Sequence, residues 1–386
     1  MSELLDYCNS ENQRNIIMAY ERIGTATGVA REMGVDESNT RTTIRKIKKR
    51  AAKAGYSPEH DMTHTVAPGY NVKGTSTMYD DEGNVKLQWV KTGLEQQTFE
   101  AMQEEMQVLL EDYRGKSLKI NGPKKSDSRT LSVYPMGDPH IGLYSWAEET
   151  GNDFDCDIAI ALYGAAFKSL MKDATAEQAL IINVGDFFHA DNSENKTMRS
   201  GNALDVDTRF GAVLRVGIGI MKSAIENALK YHKSVKVINA IGNHDDHSAV
   251  FLALSLEAFY DNNDRVEIVT KAGKFHYHHF GAVLLGVTHG DTAKLPQLGP
   301  IMTRDCIDII SQTKFRTWHT GHLHKDQHTD YVDCTVEIHR TLTPGDAWSI
   351  AAGYRSWRSM KRIDYDIDMG EFCRKTYMVN PNANQD

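Results

Sequence analysis

Side chains that can bind a metal ion or move a proton are concentrated in five short motifs of this chain. The motifs are Asp138-Pro139-His140, Gly185-Asp186-Phe187-Phe188-His189, Gly242-Asn243-His244-Asp245, His289-Gly290-Asp291 and Gly321-His322-Leu323-His324. Their donor atoms are carboxylate or amide oxygens and imidazole nitrogens, and none of them contains a cysteine. Such donors suit divalent metals in catalytic sites rather than a structural zinc site built on thiolates.

An apolar run that predicts a β-strand comes directly before each motif. These runs are residues 131–134, 180–184, 235–241, 282–288 and 315–320. Because strand ends in an open α/β sheet converge on one crevice, ligands far apart in sequence can meet there. A single Asp or His at a strand end is often only a turn or capping residue, but five such motifs in succession predict a metal site.

Residues 129–386 are predicted to form one α/β domain. Helices are expected at 158–172, 210–231, 247–260 and 305–313, and late strands at 331–340, 362–366 and 372–379. The late strands are expected to complete a second sheet, so the fold class is a two-sheet α/β sandwich with helices outside. Five of the histidines outside the motifs are expected on solvent-facing strands or hairpins: His276, His278, His279, His319 and His328.

Residues 1–58 are predicted to form a small all-α domain. Three helices are expected: 12–23, 27–33 and one from Asp36 or Ser38 to Ala54. This outline, with Gly34 before the third helix, is typical of a helix-turn-helix. Residues 38–58 contain seven basic side chains and no acidic one. Four of the basic residues would line the exposed side of the third helix and bind DNA: Arg41, Arg45, Lys48 and Lys49. The alternative is a solvated helix face that serves a protein contact.

Residues 59–128 are predicted to connect the two domains. A β-hairpin is expected from residues 75–79 and 85–90, which flank a turn that contains Gly and Asn. An amphipathic helix at 94–113 and a linker at 122–128 would follow. The predicted organisation is therefore a helical head at 1–58, a connecting region at 59–128 and a catalytic domain at 129–386.

Composition limits the classes of protein to which the chain can belong. The net charge of the 386 residues is −8, which excludes a uniformly basic nucleic-acid coat. No apolar run is long enough to span a bilayer, and the N-terminus lacks the features of a secretion signal. The five cysteines are scattered, as in a reduced cytosolic protein. We therefore expect a cytoplasmic protein without a membrane partner.

The series Asp-x-His, Gly-Asp-x-x-His, Gly-Asn-His-Asp, His-Gly and Gly-His-x-His resembles the calcineurin-like metallophosphoesterase superfamily. Within it, the chain most resembles the nuclease subunit of double-strand-break repair complexes, the SbcD type, through Gly185 to His189. The resemblance covers residues 130–325. A basic helical head joined to such a domain also resembles proteins of phages and prophages.

The resemblance implies a two-metal site whose ligands match positions in the five motifs. One ion would be held by Asp138, His140, Asp186 and His324, and the other by Asp186, Asn243, His289 and His322. Asp186 would bridge the ions, because each of its two oxygens can bind one cation. His244, oriented by Asp245, would stabilise the phosphoryl oxygens or protonate the leaving alkoxide. The resemblance also implies that His189 contacts the scissile phosphate.

The resemblance favours manganese, although mixed carboxylate, amide and imidazole donors also accept iron, zinc or cobalt. The expected activity is manganese-dependent phosphodiester hydrolysis by a DNA nuclease whose helical head binds DNA. A first alternative is a phosphatase or cyclic-nucleotide phosphodiesterase that acts on a small or protein substrate, because fold does not fix function. A second is a DNA-binding regulator with a vestigial phosphoesterase domain.

Overall fold

The computed structural model describes residues 3–60, 62–63, 70–80, 85–94, 114–192, 194–197, 201, 203–271, 273–353 and 355–380. The chain divides into two compact units, Met1–Leu109 and Leu110–Asp386. The domain boundaries expected from the sequence, at residues 58 and 128, stay predictions. None of the helices in the described ranges is long and apolar enough to cross a membrane.

The N-terminal unit begins with a short 3-10 helix, Glu3–Tyr7, and three α-helices. They are α1 (Glu11–Ile23), α2 (Ala26–Met33) and α3 (Glu37–Lys53). Side chains of Ser10, Thr25 and Asp36 each accept a backbone N–H and thereby start one helix. Gly24 and Gly34, with φ of +80° and +66°, end α1 and α2. The predicted N-terminal helices are confirmed, with Asp36 rather than Ser38 as the cap of α3.

A small apolar core joins the three helices. Ile16 and Ile17 of α1, Val29 of α2, and Ile44 and Ile47 of α3 are buried against one another. Beyond α3, the short strands β1 (Tyr56–Ser57) and β2 (Met62–Thr63) pair, with a 3-10 turn, Pro58–His60, between them. The predicted hairpin is formed by β3 (Tyr70–Tyr79) and β4 (Val85–Leu94). The helix predicted at 94–113 lies outside the described residues, apart from Leu94 at the end of β4.

The C-terminal unit is built on a six-stranded sheet with the order β15-β14-β5-β6-β7-β8. Its strands are β5 (Asp127–Met136), β6 (Ala176–Asn183), β7 (Ser234–Asn239), β8 (Val266–Val269), β14 (Ser359–Asp366) and β15 (Gly370–Met378). β5 to β8 are parallel, whereas β14 runs antiparallel to both β5 and β15. The carboxyl ends of the parallel strands β5, β6 and β7 therefore lie on the same side of the sheet.

A second sheet has five strands in the order β12-β13-β11-β10-β9. They are β9 (His276–Phe280), β10 (Val283–Val287), β11 (Phe315–Thr320), β12 (Gln327–Asp330) and β13 (Thr335–Ile338). The expectation that all late strands complete this sheet is wrong for β14 and β15. β14 instead pairs with the otherwise open edge of β5, where Ile363 lies opposite Val133. This pairing provides hydrogen-bond partners for the backbone groups of β5, which is buried.

The two sheets face each other across an apolar core. Leu180 and Ile182 of β6 and Ile238 of β7 pack against Leu285 and Val287 of β10. The outer face of the first sheet is covered by α5 (Cys156–Met171), α6 (Phe210–Tyr231) and α7 (Ser248–Tyr260), after the single turn α4 (Ala147–Thr150). Because β5, β6 and β7 are buried on both faces, their sequences are nearly continuous apolar runs.

The outer face of the second sheet is covered by α8 (Leu298–Asp305), which begins after a 3-10 turn, Leu295–Gln297. Of the helix predicted at 305–313, only α9 (Ile307–Ile310) is helical beyond Asp305, and α10 (Ala347–Ala351) follows β13. The predicted fold class, a two-sheet α/β sandwich with an N-terminal helical region, is confirmed.

Two of the histidines expected to face solvent do not. His276 is buried, and His319 is fully buried between the sheets. His319 Nδ1 lies 2.9 Å from Nε2 of His339, and its Nε2 lies 3.4 Å from the hydroxyl of Tyr365. Polar partners from neighbouring strands therefore allow this ring to occupy the interior.

Candidate metal centre

The five motifs occupy loops that directly follow β5, β6, β7, β10 and β11. Their backbone is unusual, because five of the six non-glycine residues with positive φ in the described ranges belong to them. These are Asp138 (+39°), His140 (+44°), Asp186 (+49°), His322 (+66°) and His324 (+49°). A residue in this region costs about 1 kcal/mol or more and is kept only where its surroundings force it. The strain is thus concentrated at the predicted ligands.

Motif glycines allow the loops to approach one another. A Cβ at Gly242 would lie 2.0 Å from Asp186 Oδ1, and one at Gly185 would lie 2.6 Å from His289 Nδ1. Neither position has room for a side chain. These glycines therefore bring the backbone of one motif against the side chain of another.

A first group of donors consists of Asp186, Asn243, His289 and His322. His289 Nδ1 lies 3.0 Å from the carbonyl oxygen of Val184 and must donate to it, because a carbonyl can only accept. The other ring nitrogen, Nε2, then points at Asp186 Oδ2 and Asn243 Oδ1, both 3.1 Å away. Donor atoms of Asp186, His289 and His322 all lie within 4.8 Å of one another. Three electron-rich atoms that face each other fit a cation.

A second group consists of Asp138, His140 and His324, whose donor atoms also lie within 4.8 Å of one another. Nε2 of His140 is 3.2 Å from Nε2 of His324. Asp138 Oδ1 accepts the backbone N–H of His322 at 2.8 Å. Its Oδ2 is buried and has no hydrogen-bond partner among the described residues. This orphaned oxygen and the two facing imidazoles fit a divalent metal ion.

His189 and His244 extend the second group. His140, His189 and His244 form a further triplet of donors within 4.8 Å. The rings of His189 and His244 stack, with centroids 5.6 Å apart and an interplanar angle of 17°. His189 Nε2 is buried, without a hydrogen-bond partner in the described part of the chain. The three predicted motifs therefore converge on one place.

Charges in the site favour a positive ion. Burial lowers the pKa of His289, but the Asp186 and Asp138 carboxylates outweigh it and raise that pKa to about 10. Burial opposes the ionisation of Asp186, yet His289, His244 and His140 hold its pKa well below the ordinary value. Burial, His244 and His324 together lower the pKa of His140. The site therefore stabilises a positive charge beside Asp186. A metal ion bound there would replace the proton of His289, because imidazole binds metals in its neutral form.

Asp186 is the central residue of the arrangement. Its Oδ1 accepts the backbone N–H of His244 at 2.8 Å, while its Oδ2 faces His289. It therefore links the motif after β7 with the motif after β10. One of its oxygens therefore lies in the first donor group and the other lies at the loop of His244. That Asp186 bridges two ions stays a prediction.

Asp245 does not orient the ring of His244, contrary to the expectation from the sequence. Its carboxylate accepts backbone N–H groups of Gly242, Phe187 and Phe188, at 2.9, 2.7 and 3.3 Å. The His244 ring is fixed instead by the carbonyl oxygen of His189, 2.8 Å from its Nδ1. A carboxylate that faces several N–H groups of two loops is held by them, so Asp245 joins these loops rather than polarising the imidazole.

Sequence reasoning missed other residues that hold the site together. Thr341 and Thr343 donate their hydroxyls to the carbonyl oxygens of Asp138 and Pro139, at 2.7 and 2.5 Å. Asp191 accepts the backbone and side-chain donors of His247 and Ser248 and so joins the second motif to the start of α7. These residues belong to none of the five motifs, and only their proximity in space indicates their role.

One further donor cluster lies outside the site. His319, Glu337 and His339 are buried within 4.8 Å of one another. Glu337, however, forms ion pairs with Arg374 at 2.6 and 2.8 Å and with Lys361 at 2.9 Å. Because its charge is already compensated, this cluster is a structural network between strands rather than a metal site.

The residues predicted to bind DNA all lie on α3. Thr40, Ile44, Ile47 and Ala51 form the buried side of the helix, and Arg41, Arg45 and Lys49 are exposed. Lys48 is half-buried, with Nζ 3.4 Å from Glu59 and 5.5 Å from the ring centroid of Tyr20. Arg41 pairs with Glu37 on the same helix. Arg45 and Lys49 are therefore the two predicted side chains with no ion pair recorded within the described residues.

No family model matches the chain, and no curated protein matches it. Solved structures that resemble it include a predicted phosphoesterase of Streptococcus pneumoniae, at 9% identity over 66% of this chain and 100% of that one, with a TM-score of 0.27. Zinc-bound Vps29 from Entamoeba histolytica shares 13% identity over 65% of this chain and 99% of that one, with a TM-score of 0.26. An archaeal phosphodiesterase shares 13% identity over 65% and 99%, with a TM-score of 0.30. These likenesses are too weak to assign a function, which must be argued from the side chains of this chain.

Proposed function

We propose that this chain is a dinuclear-metal-dependent phosphodiester hydrolase of the calcineurin-like type, and that its substrate is DNA. The observation that carries the proposal is the proximity of two donor groups: His289 of the group with Asp186 lies 3.6 Å from Asp138 of the other group, whose Oδ2 is orphaned. Asp138, His140, Asp186 and His324 would hold one ion, and Asp186, Asn243, His289 and His322 the other. When bound, two such ions stabilise the charge on the entering and leaving oxygens of a phosphate.

His244 is the residue we assign to proton transfer. The carbonyl oxygen of His189 fixes its Nδ1, so its Nε2 is the atom that can give a proton to the leaving alkoxide. His189 stacks against this ring and keeps a buried Nε2 that has no hydrogen-bond partner in the described part of the chain, and we assign this atom to a phosphoryl oxygen. Asp245 contributes by holding the loops of both histidines in register.

DNA as the substrate is supported by the basic face of α3. Arg45 and Lys49 project from the side of the helix opposite its apolar core, as do the base- and phosphate-contacting residues of a helix-turn-helix. In this proposal the helical head supplies salt-dependent contacts to phosphates, and the C-terminal unit supplies the cleavage chemistry. Manganese is the metal we propose, because the resemblance to SbcD-type nucleases favours it and the mixed oxygen and imidazole donors accept it, as they accept iron, zinc or cobalt.

Hydrolysis assays with manganese test the proposal. We compare single- and double-stranded DNA with bis-p-nitrophenyl phosphate and p-nitrophenyl phosphate, and use Asp186→Ala and His244→Ala as site variants. We expect cleavage of DNA and of the diester that is lost in both variants and after chelation. Turnover of p-nitrophenyl phosphate with DNA left intact would assign the chain to the phosphatases instead, and activity that survives chelation would contradict a metal site.

A further inference from the structure

Two exposed tryptophans lie on loops that are tied to the metal centre. Trp146 is 49% exposed and precedes α4, six residues after His140. Trp348 is 64% exposed and lies on α10. Large aromatic side chains are usually buried, so two of them exposed on neighbouring loops indicate a surface that binds something.

Hydrogen bonds fix both loops relative to the predicted ligands. The loop that carries Trp348 begins with Thr341 and Thr343, which bond the carbonyl oxygens of Asp138 and Pro139. Ser145 donates its hydroxyl to the carbonyl oxygen of Gly345 at 3.1 Å, so the two loops are also joined to each other. α4 and α10 are in contact. The loops that carry the tryptophans are therefore linked by hydrogen bonds to the loop of Asp138 and His140.

The Trp348 loop also comes close to the other end of the site. Asp346, two residues before Trp348, is among the groups whose charge acts on His189. Its carboxylate caps α10 by accepting the backbone N–H of Ser349 at 2.8 Å, which holds the start of that helix in place. The charge of Asp346 thus reaches the histidine that we assign to the scissile phosphate.

The charge of these loops determines what they can bind. Residues 141–155 and 341–353 contain no lysine or arginine, whereas Glu148, Glu149, Asp153, Asp155 and Asp346 are acidic. Two arginines from outside these ranges contact them: Arg358 donates to Leu342 and Asn152, and Arg355 donates to Ile350. The exposed tryptophan faces are uncharged and suit a nucleobase, whose stacking contributes about 1–3 kcal/mol per base. Because bases are stacked inside a duplex, only unpaired ones can use such a surface.

We propose that Trp146 and Trp348 form a stacking rim for an unpaired nucleobase attached to the phosphate that is cleaved. The inference rests on the proposed function and adds a preference for single-stranded ends or nucleotides over the interior of a duplex. The base lies on the aromatic rim while its phosphate lies among the Asp and His donors. The base and the phosphate bind at different places because the rim offers aromatic faces, whereas the Asp and His donors fit the cations that bind a phosphate.

Trp146→Leu and Trp348→Leu test the rim, because leucine keeps apolar area but removes the planar face. Phe372→Leu, at a 55% exposed aromatic on the edge strand β15, is the matched control. The substrates are a single-stranded oligonucleotide, an abasic oligonucleotide of equal length, the p-nitrophenyl ester of thymidine 5′-monophosphate, and methyl p-nitrophenyl phosphate. The last two share a leaving group and differ in whether a nucleoside is present.

We expect each tryptophan variant to lose about 10-fold in kcat/KM on the normal oligonucleotide and on the thymidine ester, mainly through KM, as for one lost stacked base. The abasic oligonucleotide and methyl p-nitrophenyl phosphate should be cleaved at the wild-type rate by all variants. A loss on the oligonucleotide without a loss on the thymidine ester would overturn the assignment of the rim to the base attached to the cleaved phosphate. Equal losses on normal and abasic strands, or no loss on either, would overturn it.

The binding of thymidine 5′-monophosphate, measured by calorimetry with manganese present, separates this inference from the proposed function. If the protein hydrolyses none of the four substrates, the proposed function fails, and the rim is then judged by binding alone. Weaker binding in both tryptophan variants than in Phe372→Leu would support it. Equal affinity in all three would refute it.

Discussion

Asp138 and His189 each keep a buried polar atom, Oδ2 and Nε2, that has no hydrogen-bond partner within the described ranges. An unsatisfied buried group of this kind costs about 1–3 kcal/mol. The penalty falls where the predicted donors converge and where five backbone angles are strained. A bound cation or a substrate phosphate would remove this penalty, which the metal-free protein carries.

Asp138→Asn tests whether the buried Asp138 carboxylate destabilises the metal-free protein. Asparagine can still accept the N–H of His322 but removes the buried negative charge, so the metal-free protein should be at least as stable as the wild type. Manganese should raise the Tm of the wild type and have little effect on the variant, because a ligand stabilises the state to which it binds. Thermal unfolding with manganese and with chelator measures both quantities. A variant whose Tm rises with manganese as much as that of the wild type would contradict the assignment of Asp138 as a ligand.

Substitutions of His244 and Asp245 should have different effects on activity and on stability. His244→Ala should lower kcat by about 10²–10⁴-fold, the usual range for a lost general acid, with the Tm nearly unchanged. Asp245→Asn turns an NH₂ group toward backbone N–H groups, so it should reduce the free energy of unfolding by about 1–3 kcal/mol and impair activity through the displaced loops. Urea unfolding and steady-state kinetics give the two readouts. An Asp245→Asn protein of normal stability without activity would restore the view that Asp245 acts on the His244 ring.

At the scale of elements, α3 is the part of the helical head whose role can be tested directly. Replacing Arg45 and Lys49 by Ala removes two exposed charges opposite the buried Ile44 and Ile47, so folding should be unaffected. DNA affinity should fall, and the slope of log affinity against log salt should flatten by about 2, since two phosphate contacts are lost. Hydrolysis of a small chromogenic diester should not change.

Arg22→Ala is the matched control for that double variant, because Arg22 is an exposed base on α1 that pairs with Glu32. It should leave DNA affinity and its salt dependence as in the wild type. If fluorescence anisotropy finds equal affinities for all three proteins, the basic face of α3 serves a protein contact rather than DNA.

Elements could be predicted from the sequence where the pattern is local. The runs before the five motifs became β5, β6, β7, β10 and β11, because strands buried on both faces are uninterrupted in apolar residues. The sheet that β14 joins could not be predicted, since it depends on which strand edge is left open after folding. The hydrogen bonds that Asp245 accepts from Phe187 and Phe188 could not be predicted either, because these residues are far from Asp245 in sequence. Only its bond from Gly242 is local.

At the scale of the whole molecule, buried neutral histidines make stability depend on pH. His232 is fully buried, within 2.8 Å of the hydroxyl of Tyr134 and 2.7 Å of the carbonyl oxygen of Ala176. Burial lowers its pKa to about 4, below the value of about 6.5 in an unfolded chain. The unfolded state therefore binds more protons between these values, so the stability from this group is present above pH 6.5 and is lost as the pH falls toward 4.

His232→Gln should flatten this dependence. Between pH 6.5 and pH 5 the wild type should lose about 2 kcal/mol from His232 alone, and the variant should lack that part of the loss. His328→Gln, at a side chain that is about half exposed, is the control and should behave as the wild type. Urea unfolding at pH 7.5 and pH 5 measures the difference. An unchanged pH dependence in His232→Gln would show that this ring does not contribute as described.

The most direct test of a dinuclear site is the number of manganese ions bound per chain, measured by equilibrium dialysis and elemental analysis. We expect two ions in the wild-type protein, fewer than one in Asp186→Ala, and two in His319→Gln, since the cluster of His319, Glu337 and His339 is compensated by Arg374 and Lys361. A wild-type protein that binds no manganese, or one whose manganese is lost in His319→Gln and kept in Asp186→Ala, would contradict the metal centre assigned to the five motifs.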